Sequence, residues 1–351
     1  MSDFIEALTQ AVTDACSRHP ESGAGSAGWN EPLWAALEQI GVTLLSVAEE
    51  RGGAGGDLLT AAAVLEVLGA HSATVPFAET ALQAGWQLAE SGVTIPAGPM
   101  TAAVGGPEVE LARVPDGWVL DGKIARVPWA RYARHLVLLV GRNVVLLRRG
   151  EIDVRTGSNL AGEPRDDVIF DRIPVQADRI HPLPEDSPVD ARLFTARGAF
   201  GRSALMAGAA RRSLEMSLSY AADRHQFGRA LDQFQAVQQQ LAGMAGEVLV
   251  CKVVAESAAQ ALDEGSSWQT AIAAAKTAAG DSAGKVAKIA HQIHGAIGFT
   301  EEHDLRQSTT RIWSWRDEFG SVGESAEELG ALVAAAGADG IWPLLVDRPI
   351  P

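Results

Sequence analysis

Two long apolar stripes with helical spacing are the strongest constraint on the fold of this chain. Apolar residues recur at three- and four-residue steps both before position 224 and after position 235. The first stripe comprises Phe200, Leu205, Ala209, Leu214, Leu218 and Ala221, and the second comprises Val237, Leu241, Met244, Val248, Val254 and Ala258. Each stripe predicts an amphipathic helix with one face toward a core. The alanine-rich residues 268–293 predict a further helix, so the C-terminal part of the chain is expected to be helical.

The break between the first two of these helices, interpreted as a loop, carries an unusual set of groups. Arg224, Phe227, Gly228 and Gln235 together offer a guanidinium, an aromatic ring, a glycine and a carboxamide. A second loop, Gly295-Ala-Ile-Gly298, adds backbone that another molecule can approach closely. The combined set suits a diphosphate joined to a flat ring system. The first motif alone has a simpler interpretation, a helix C-terminus with a glycine cap and a solvated arginine.

The pair of motifs resembles the C-terminal helical domain of the acyl-CoA dehydrogenase family. The resemblance rests on Arg224-x-x-Phe-Gly-x-x-Leu231-x-x-Phe-Gln235 and on Gln292-x-x-Gly-x-x-Gly-Phe299, which follows two amphipathic helices later. In that family these positions hold the adenosine-diphosphate part of an FAD that is bound mainly by the neighbouring subunit. The resemblance therefore implies FAD as cofactor. It implies that the cofactor-binding residues are Arg224, Phe227, Gln235, Gln292, Gly295 and Gly298.

Composition excludes several other classes of protein. The chain has 351 residues, 47% of them hydrophobic and only 6% aromatic, which suits closely packed helices. A formal net charge of −15 leaves no basic stripe for nucleic acid. Cys16 and Cys251 lie far apart in helical patterns, so we expect two buried or half-buried thiols rather than a disulfide. No apolar run approaches bilayer length, so we expect no membrane insertion and a reduced, cytoplasmic protein.

The N-terminal part also has a helical pattern. Residues 3–18 predict an amphipathic helix, residues 22–28 a gap of small residues, residues 32–41 a short helix closed by glycine, and residues 58–68 another helix. The glycine cluster at 49–56 is interpreted as a plain flexible loop, since it has neither the preceding strand nor the Lys-Ser/Thr of a phosphate-binding loop. The order of these pieces is similar to the N-terminal helical domain of the same family.

The hydrophobic period changes to two in the middle of the chain. Strand-like runs at 101–104, 117–123, 135–140, 143–147 and 167–170 predict a compact antiparallel β domain. Helices are expected again from about residue 191, over 301–315 and over 325–336. The resemblance implies an α+β fold with an N-terminal helical domain (1–98), a central antiparallel β domain (99–188) and a C-terminal four-helix bundle (189–351).

The chemistry implied by the resemblance is α,β-desaturation of an acyl-CoA thioester. A glutamate removes a proton from the α carbon, and the flavin accepts a hydride from the β carbon. An α C–H next to a thioester is a poor acid, so the base must be a desolvated carboxylate with a raised pKa. The chain therefore needs a flavin-ring pocket, a base and a groove for the CoA thioester.

Both segments that cover the flavin ring in the family depart from its pattern. The Glu-Pro-x-Ala-Gly-Ser-Asp segment is missing. Val127-Pro128-Trp129-Ala130 stands where the family has Trp-Ile-Thr/Ser, so a backbone donor and a hydroxyl are lost. The chain's own flavin-ring pocket is expected to be degraded.

The catalytic base of the family is displaced as well. Its Tyr-Glu-Gly-Thr segment falls on Glu318-Phe319-Gly320-Ser321, which puts Phe319 at the usual glutamate position. Glu318, one residue early, is the candidate catalytic base, and the alternative is a surface or salt-bridged carboxylate near Arg316. The alternative location of the base near residues 195–200 has no carboxylate.

Two further groups of side chains receive ordinary interpretations. His291 and His294 are three residues apart at a helix end without a carboxylate at ligand-like spacing, so capping or dipole roles are expected and no metal site is predicted. Trp313 and Trp315 alternate along a helix and are expected to pack.

These observations favour one subunit of a heteromeric acyl-CoA dehydrogenase of the actinobacterial type, in which flavins are fewer than chains. The partner would supply the base and the flavin-ring pocket. Two alternatives stay open: a self-sufficient homo-oligomer that uses Glu318, and a non-redox acyl-CoA-binding or scaffold subunit. The resemblance implies an acyl-CoA substrate, with steroid-derived or aromatic acyl groups by family analogy only, and an electron-transfer flavoprotein as electron acceptor.

Overall fold

The structure is a computed structural model that describes residues 2–21, 28–115, 117–265, 267–301 and 303–346. The predicted gap of small residues lies largely outside this part of the chain, at 22–27, as does Glu302. The chain divides into two compact units, Met1–Gly198 and Ala199–Pro351.

The first unit opens with helices whose ends have clear chemical causes. The helices are α1 (Ser2–Arg18), α2 (Glu31–Ile40), α3 (Leu58–Ala70) and α4 (Gly85–Glu90), the last preceded by a π-helical segment over Glu79–Ala84. The Asn30 side chain accepts a hydrogen bond from the backbone of Leu33 and caps α2, and Gly41 at φ 87° ends it. Asp57 caps α3 in the same way through Thr60. The predicted N-terminal helices are confirmed.

The glycine cluster at 49–56 lies in a turn and loop before α3, as predicted, and it is packed against its own unit. A 3-10 turn covers Glu49–Arg51, and the backbone amides of Gly53, Gly55 and Gly56 donate hydrogen bonds to carbonyls of residues 45–48. A Cβ on Gly53 would lie 2.1 Å from the carbonyl oxygen of Val47. The glycines therefore allow backbone segments to pack closely. From sequence alone, glycines needed for such packing look the same as glycines needed for a turn.

Eight strands follow in this unit and form two four-stranded sheets. The strands are β1 (Met100–Val104), β2 (Glu110–Val114), β3 (Gly117–Pro128), β4 (His135–Val140), β5 (Asn143–Arg148), β6 (Asp153–Arg155), β7 (Arg165–Val175) and β8 (Ile180–Pro182). The sheet orders are β1-β4-β5-β8 and β2-β3-β7-β6. Apolar residues of both sheets share one core, including Leu120, Leu138, Val145, Val168 and Phe170.

The predicted antiparallel β domain is confirmed with one exception, the pairing of β1 with β4. These two strands run parallel, from Met100 opposite His135 to Val104 opposite Leu139. They can run parallel because the chain leaves the first sheet after β1, forms β2 and β3 in the other sheet, and then returns to the first sheet as β4. Three short strands, β2, β6 and β8, were not predicted.

The second unit is helical, as predicted. Its elements are α5 (Ala191–Asp223, of which residues 191–198 belong to the first unit), β9 (His225–Gln226), β10 (Arg229–Ala230), α6 (Gln235–Glu264), α7 (Trp268–His294), α8 (Leu305–Trp315) and α9 (Val322–Val346). The long helices α5, α6, α7 and α9 correspond to the predicted bundle, and α7 packs against α6, α8 and α9. Helix α9 is longer than predicted and has a non-helical residue at Gly337.

Two smaller observations complete the fold. Cys16 and Cys251 are free and buried, as expected, and burial raises the pKa of each thiol to about 12. Within the described residues, no helix has the length and apolar character needed to cross a membrane.

The packing of the glycine cluster leads to a stability prediction. We expect Gly53→Ala to lower the free energy of unfolding by about 1–3 kcal/mol, because the new methyl group meets backbone that cannot rotate away. Gly150→Ala is the matched control, since a Cβ at Gly150 meets nothing within 4 Å. Urea unfolding of the two variants measures the difference, and equal stability would contradict the packing interpretation.

Candidate functional site

The first motif forms a β-hairpin within the break between α5 and α6, where a loop was predicted. The amide of Leu231 donates to the carbonyl of Arg224 at 2.9 Å, and β9 pairs with β10 inside this closure. Phe227 (φ 53°) and Gly228 (φ 83°) both lie in the left-handed region, as a tight two-residue hairpin turn requires. Glycine adopts this conformation readily, whereas a phenylalanine there is uncommon. The Phe227 side chain is 92% exposed, so the hairpin presents a bare aromatic ring at its tip.

Aromatic and cationic contacts hold this hairpin in shape. The guanidinium of Arg229 lies 4.0 Å from the ring centroid of Phe234, and the Phe227 ring meets Phe234 edge-on at 6.3 Å. Gln235 begins α6 immediately afterward and is exposed. Arg224, Phe227 and Gln235 thus belong to one ordered surface element.

The second motif is a single 3-10 turn, Gly295–Phe299, at the end of α7. Gly295 adopts φ 65° and ψ −145°, a combination that is essentially restricted to glycine. Gly298 is buried, and a Cβ there would lie 3.0 Å from His294 Cβ and 3.3 Å from His291 Nδ1. These two constraints explain the Gly-x-x-Gly spacing. Gln292 and Gly295 are exposed at this turn.

Beneath the turn, His291 and His294 are buried among other rings. His291 stacks on Phe299 with ring centroids 4.0 Å apart and on Trp313 at 5.5 Å, and Thr309 Oγ1 lies 3.0 Å from its Nε2. His294 Nδ1 donates to the carbonyl of Ala290 at 2.8 Å.

The environment of the two histidines decides between their predicted roles. The hydrogen bond of His294 confirms its capping role. Burial lowers the pKa of both imidazoles, which disfavours the charged form that a dipole role requires. In the described part of the chain, no three His, Cys, Asp or Glu residues lie close enough together to hold a metal ion.

One ring contact brings the two motifs to the same end of the second unit. Tyr220, in the last turn of α5, stacks on His294, in the last turn of α7, with centroids 4.5 Å apart. Arg224 lies four residues after Tyr220, and its amide donates to the Tyr220 carbonyl at 2.9 Å. Sequence reasoning did not identify Tyr220, because its role depends on a contact between distant helices.

Three side chains at this end are available to a ligand. Within the described residues, the side chains of Arg224, Gln235 and Gln292 make no hydrogen bond or ion pair and are exposed. A guanidinium and two carboxamides beside an open glycine backbone can bind an anionic group such as a diphosphate. Arg224, Gln235 and Gln292 are thus suited to binding, whereas a guanidinium and carboxamides are not the usual groups of acid–base catalysis.

Glu318, the candidate base, is engaged in a buried ion pair. Its Oε2 accepts from Arg202 Nε at 2.6 Å, and the side chains are 10% and 3% exposed, respectively. The Arg202 guanidinium also lies 5.1 Å from the ring centroid of Phe319. The salt-bridged alternative for Glu318 therefore agrees with the geometry, with Arg202 as a partner. A carboxylate held by a guanidinium is stabilised in its charged form, whereas the proposed chemistry needs a desolvated base without such a partner.

Lys276 lies close to this pair and was not singled out from the sequence. It is fully buried, and its Nζ donates to the carbonyl of Trp315 at 2.7 Å, which ties the middle of α7 to the end of α8. Burial, followed by repulsion from Arg202, lowers the Lys276 pKa to about 7. Its burial could have been predicted from its position four residues after Ile272, which puts it on the apolar stripe of α7.

In the first unit, the segment Val127–Ala130 packs into its own core. Val127, Trp129 and Ala130 are buried, and the carbonyl of Pro128 accepts a hydrogen bond from the Thr101 hydroxyl at 2.5 Å. The backbone of Trp129 has a positive φ of 58° and donates to Pro164 at 3.3 Å. This segment offers no side-chain hydroxyl to a ring, which agrees with its departure from the family pattern.

Known proteins match the chain over most of its length. The family model described as acyl-CoA dehydrogenase, N-terminal domain, matches residues 3–93, and the model for the C-terminal domain matches residues 192–315. The acyl-CoA dehydrogenase IpdE2 of Mycobacterium tuberculosis is 28% identical over 310 residues, which are 85% of this chain and 87% of that protein.

Two solved structures have the same fold. The ChsE4-ChsE5 complex from Mycobacterium tuberculosis has a TM-score of 0.80 at 21% identity, covering 94% of this chain and 97% of the matched chain. The Tcur3481-Tcur3483 steroid ACAD has a TM-score of 0.82 at 23% identity, covering 96% of this chain and 99% of that one.

The buried amine of Lys276 predicts how stability changes with pH. Its folded-state pKa, about 7, lies below the ordinary value of 10.5, so between these values the unfolded chain binds a proton that the folded chain does not. The Lys276 contribution to stability is therefore fully present above pH 10.5 and is lost as pH falls toward 7. The slope is at most about 1.4 kcal/mol per pH unit.

Lys276→Met tests this prediction. We expect the variant to be more stable than the parent at pH 7 and to lose this part of the pH dependence, which urea unfolding at pH 7 and pH 9 measures. Lys285→Met, at an exposed lysine of the same helix, is the control. An unchanged difference between the two pH values in Lys276→Met would contradict a neutral buried amine.

Proposed function

Because the chain belongs to the acyl-CoA dehydrogenase family, we propose that it is one subunit of a heteromeric FAD-dependent acyl-CoA dehydrogenase. In this proposal, the C-terminal site of the chain binds the adenosine-diphosphate end of an FAD that is held mainly by a partner subunit. The partner is a second chain of the same family and supplies the catalytic base and the flavin-ring pocket.

The observation that carries the proposal is the exposed, unengaged set Arg224, Gln235 and Gln292. These groups fit the cofactor, since a guanidinium can bind the diphosphate and the carboxamides can bind phosphate or ribose oxygens. Gly295 adds an exposed backbone position where a Cβ would meet nothing within 4 Å. A bound FAD would supply the acceptor for the hydride from the β carbon of the substrate. The residues of this chain bind and orient it.

The remainder of the chain supports a divided site. Phe319 occupies the position of the family base, and Glu318 beside it is paired with Arg202 at 2.6 Å. The segment Val127–Ala130 is packed into the β core. An enzyme needs both of the functions that are missing here, so a partner must provide them. The match to a chain of the two-protein ChsE4-ChsE5 complex supports this arrangement.

The substrate and acceptor follow from the same family membership. We propose an acyl-CoA thioester as substrate, an electron-transfer flavoprotein as electron acceptor and a cytoplasmic location. One structural neighbour, Tcur3481-Tcur3483, is a steroid ACAD, which favours a steroid-derived acyl group.

The first test is the colour of the protein and its dependence on Arg224. We expect the chain purified alone to be colourless, and to show a flavin spectrum only when co-expressed with a partner subunit from a neighbouring gene. In that complex, Arg224→Ala should weaken FAD binding about tenfold or more, because a charge-assisted contact to the diphosphate is lost. Arg212→Ala, at an exposed arginine on α5, is the control. A flavin spectrum in the lone chain, or unchanged FAD binding in Arg224→Ala, would refute the divided site.

A second test concerns Glu318. Within the complex we expect Glu318→Gln to retain turnover within about threefold, whereas a catalytic base would lose roughly a hundredfold or more. The substitution leaves Arg202 buried without its counter-charge, which can destabilise the fold. The double variant Arg202→Met/Glu318→Leu removes both charges and separates folding from catalysis. Turnover lost in a folded double variant would instead favour the self-sufficient enzyme that uses Glu318.

A further inference from the structure

One face of helix α6 is exposed, apolar and almost free of charge. Among the exposed positions between 242 and 253, a single residue, Lys252, is charged. The large apolar side chains of this face are open to solvent, since Leu249 is 60% exposed and Val253 is 52% exposed. Three- and four-residue steps along a helix stay on one side of it. We call the exposed row that follows these steps the α6 stripe; it comprises Gln235, Gln239, Ala242, Gly246, Leu249 and Val253.

The glycines on this side of α6 are not explained by packing within the chain. A Cβ at Gly246, or at the neighbouring Gly243, would meet nothing within 4 Å. By contrast, a Cβ at Gly280 on α7 would lie 2.3 Å from Val322 Cγ2 of α9, so that glycine is needed for helix packing. Glycine is unfavourable inside a helix relative to alanine, whereas it allows another backbone to approach closely. The stripe therefore has the composition of a helix surface that packs closely against another helix.

We propose that the α6 stripe is the surface against which the partner subunit packs a helix. The inference rests on the proposed function, which places the partner next to Gln235 because the two subunits share one cofactor. Gln235 is the first residue of α6 and of the stripe, so a subunit that covers it also meets the following turns. Between Gln235 and Val253 the helix rises about 27 Å, which offers five turns of contact.

Charge argues against two other occupants of the stripe. A second copy of this chain would bring together two molecules that each carry a formal net charge of −15, which opposes self-association. An anionic lipid surface would require a basic rim around the apolar face. Lys252, the exposed lysine beside the stripe, already lies 3.9 Å from Glu256. A helix of another protein requires only an uncharged surface of matching shape, which the stripe provides.

The experiment measures assembly of the two purified subunits by analytical ultracentrifugation in excess FAD. We expect Gly246→Glu to weaken their association about tenfold or more, because a long charged side chain fills the space left for the opposing helix and loses its water there. The lone variant should be at least as stable in urea as the parent, since glutamate is the better helix former. Gly330→Glu is the matched control: Gly330 is exposed on α9, a Cβ there would also meet nothing within 4 Å, and association should not change.

The outcomes separate this inference from the proposal beneath it. Unchanged association of Gly246→Glu would overturn the inference, and so would an equal loss in Gly330→Glu or a lone Gly246→Glu chain less stable than the parent. If Arg224→Ala still weakens FAD binding in those cases, the proposed function stands and only the α6 stripe is wrongly assigned. If the lone chain shows a flavin spectrum and Gly246→Glu separates its own copies, the occupant is a second copy, and both the inference and the proposed function fail.

Discussion

Close packing around α7 is the constraint on which the second unit depends. The helix is rich in alanine and glycine, so α6, α8 and α9 approach it closely. The tightest point is Gly280, where a Cβ would lie 2.3 Å from Val322 Cγ2 at the start of α9. Small residues permit this approach, and the buried amine of Lys276 fastens the same helix to the end of α8. The segment Glu318–Phe319, just after α8, is positioned by these contacts.

Helix α7 also positions the end of the second unit that carries Arg224, Gln235 and Gln292. The last turn of α7 places His294 against Tyr220 and His291 against Phe299 and Trp313. Burial lowers the pKa of these imidazoles, which favours their packing as uncharged aromatic rings. Stacking of Tyr220 on His294 joins the ends of α5 and α7 and so brings the two motifs to the same end of the second unit.

The sequence predicted what depends on local patterns. Helical periodicity located α5, α6 and α7, and alternation located the longer strands, because both signals are repeated over many residues. The parallel pairing of β1 with β4 was predicted wrongly, since it depends on which distant strand pairs there. The partner of Glu318 is likewise 116 residues away in sequence. Spacing identified the exposed residues of the candidate site, whereas it could not identify the buried rings that support them.

The buried ion pair explains why keeping only half of an active site can be a stable arrangement. A catalytic carboxylate has to stay desolvated and without a counter-charge, which costs free energy in the folded protein. Here Arg202 satisfies Glu318, so the unit is relieved of that cost and gains a contact that fixes the segment after α8. On the proposed function, the same pairing keeps Glu318 from acting as the base that abstracts the proton. On the proposed function, this chain contributes an ordered cofactor-binding surface and no catalytic base. The partner subunit then carries the free-energy cost of holding a desolvated, unpaired carboxylate.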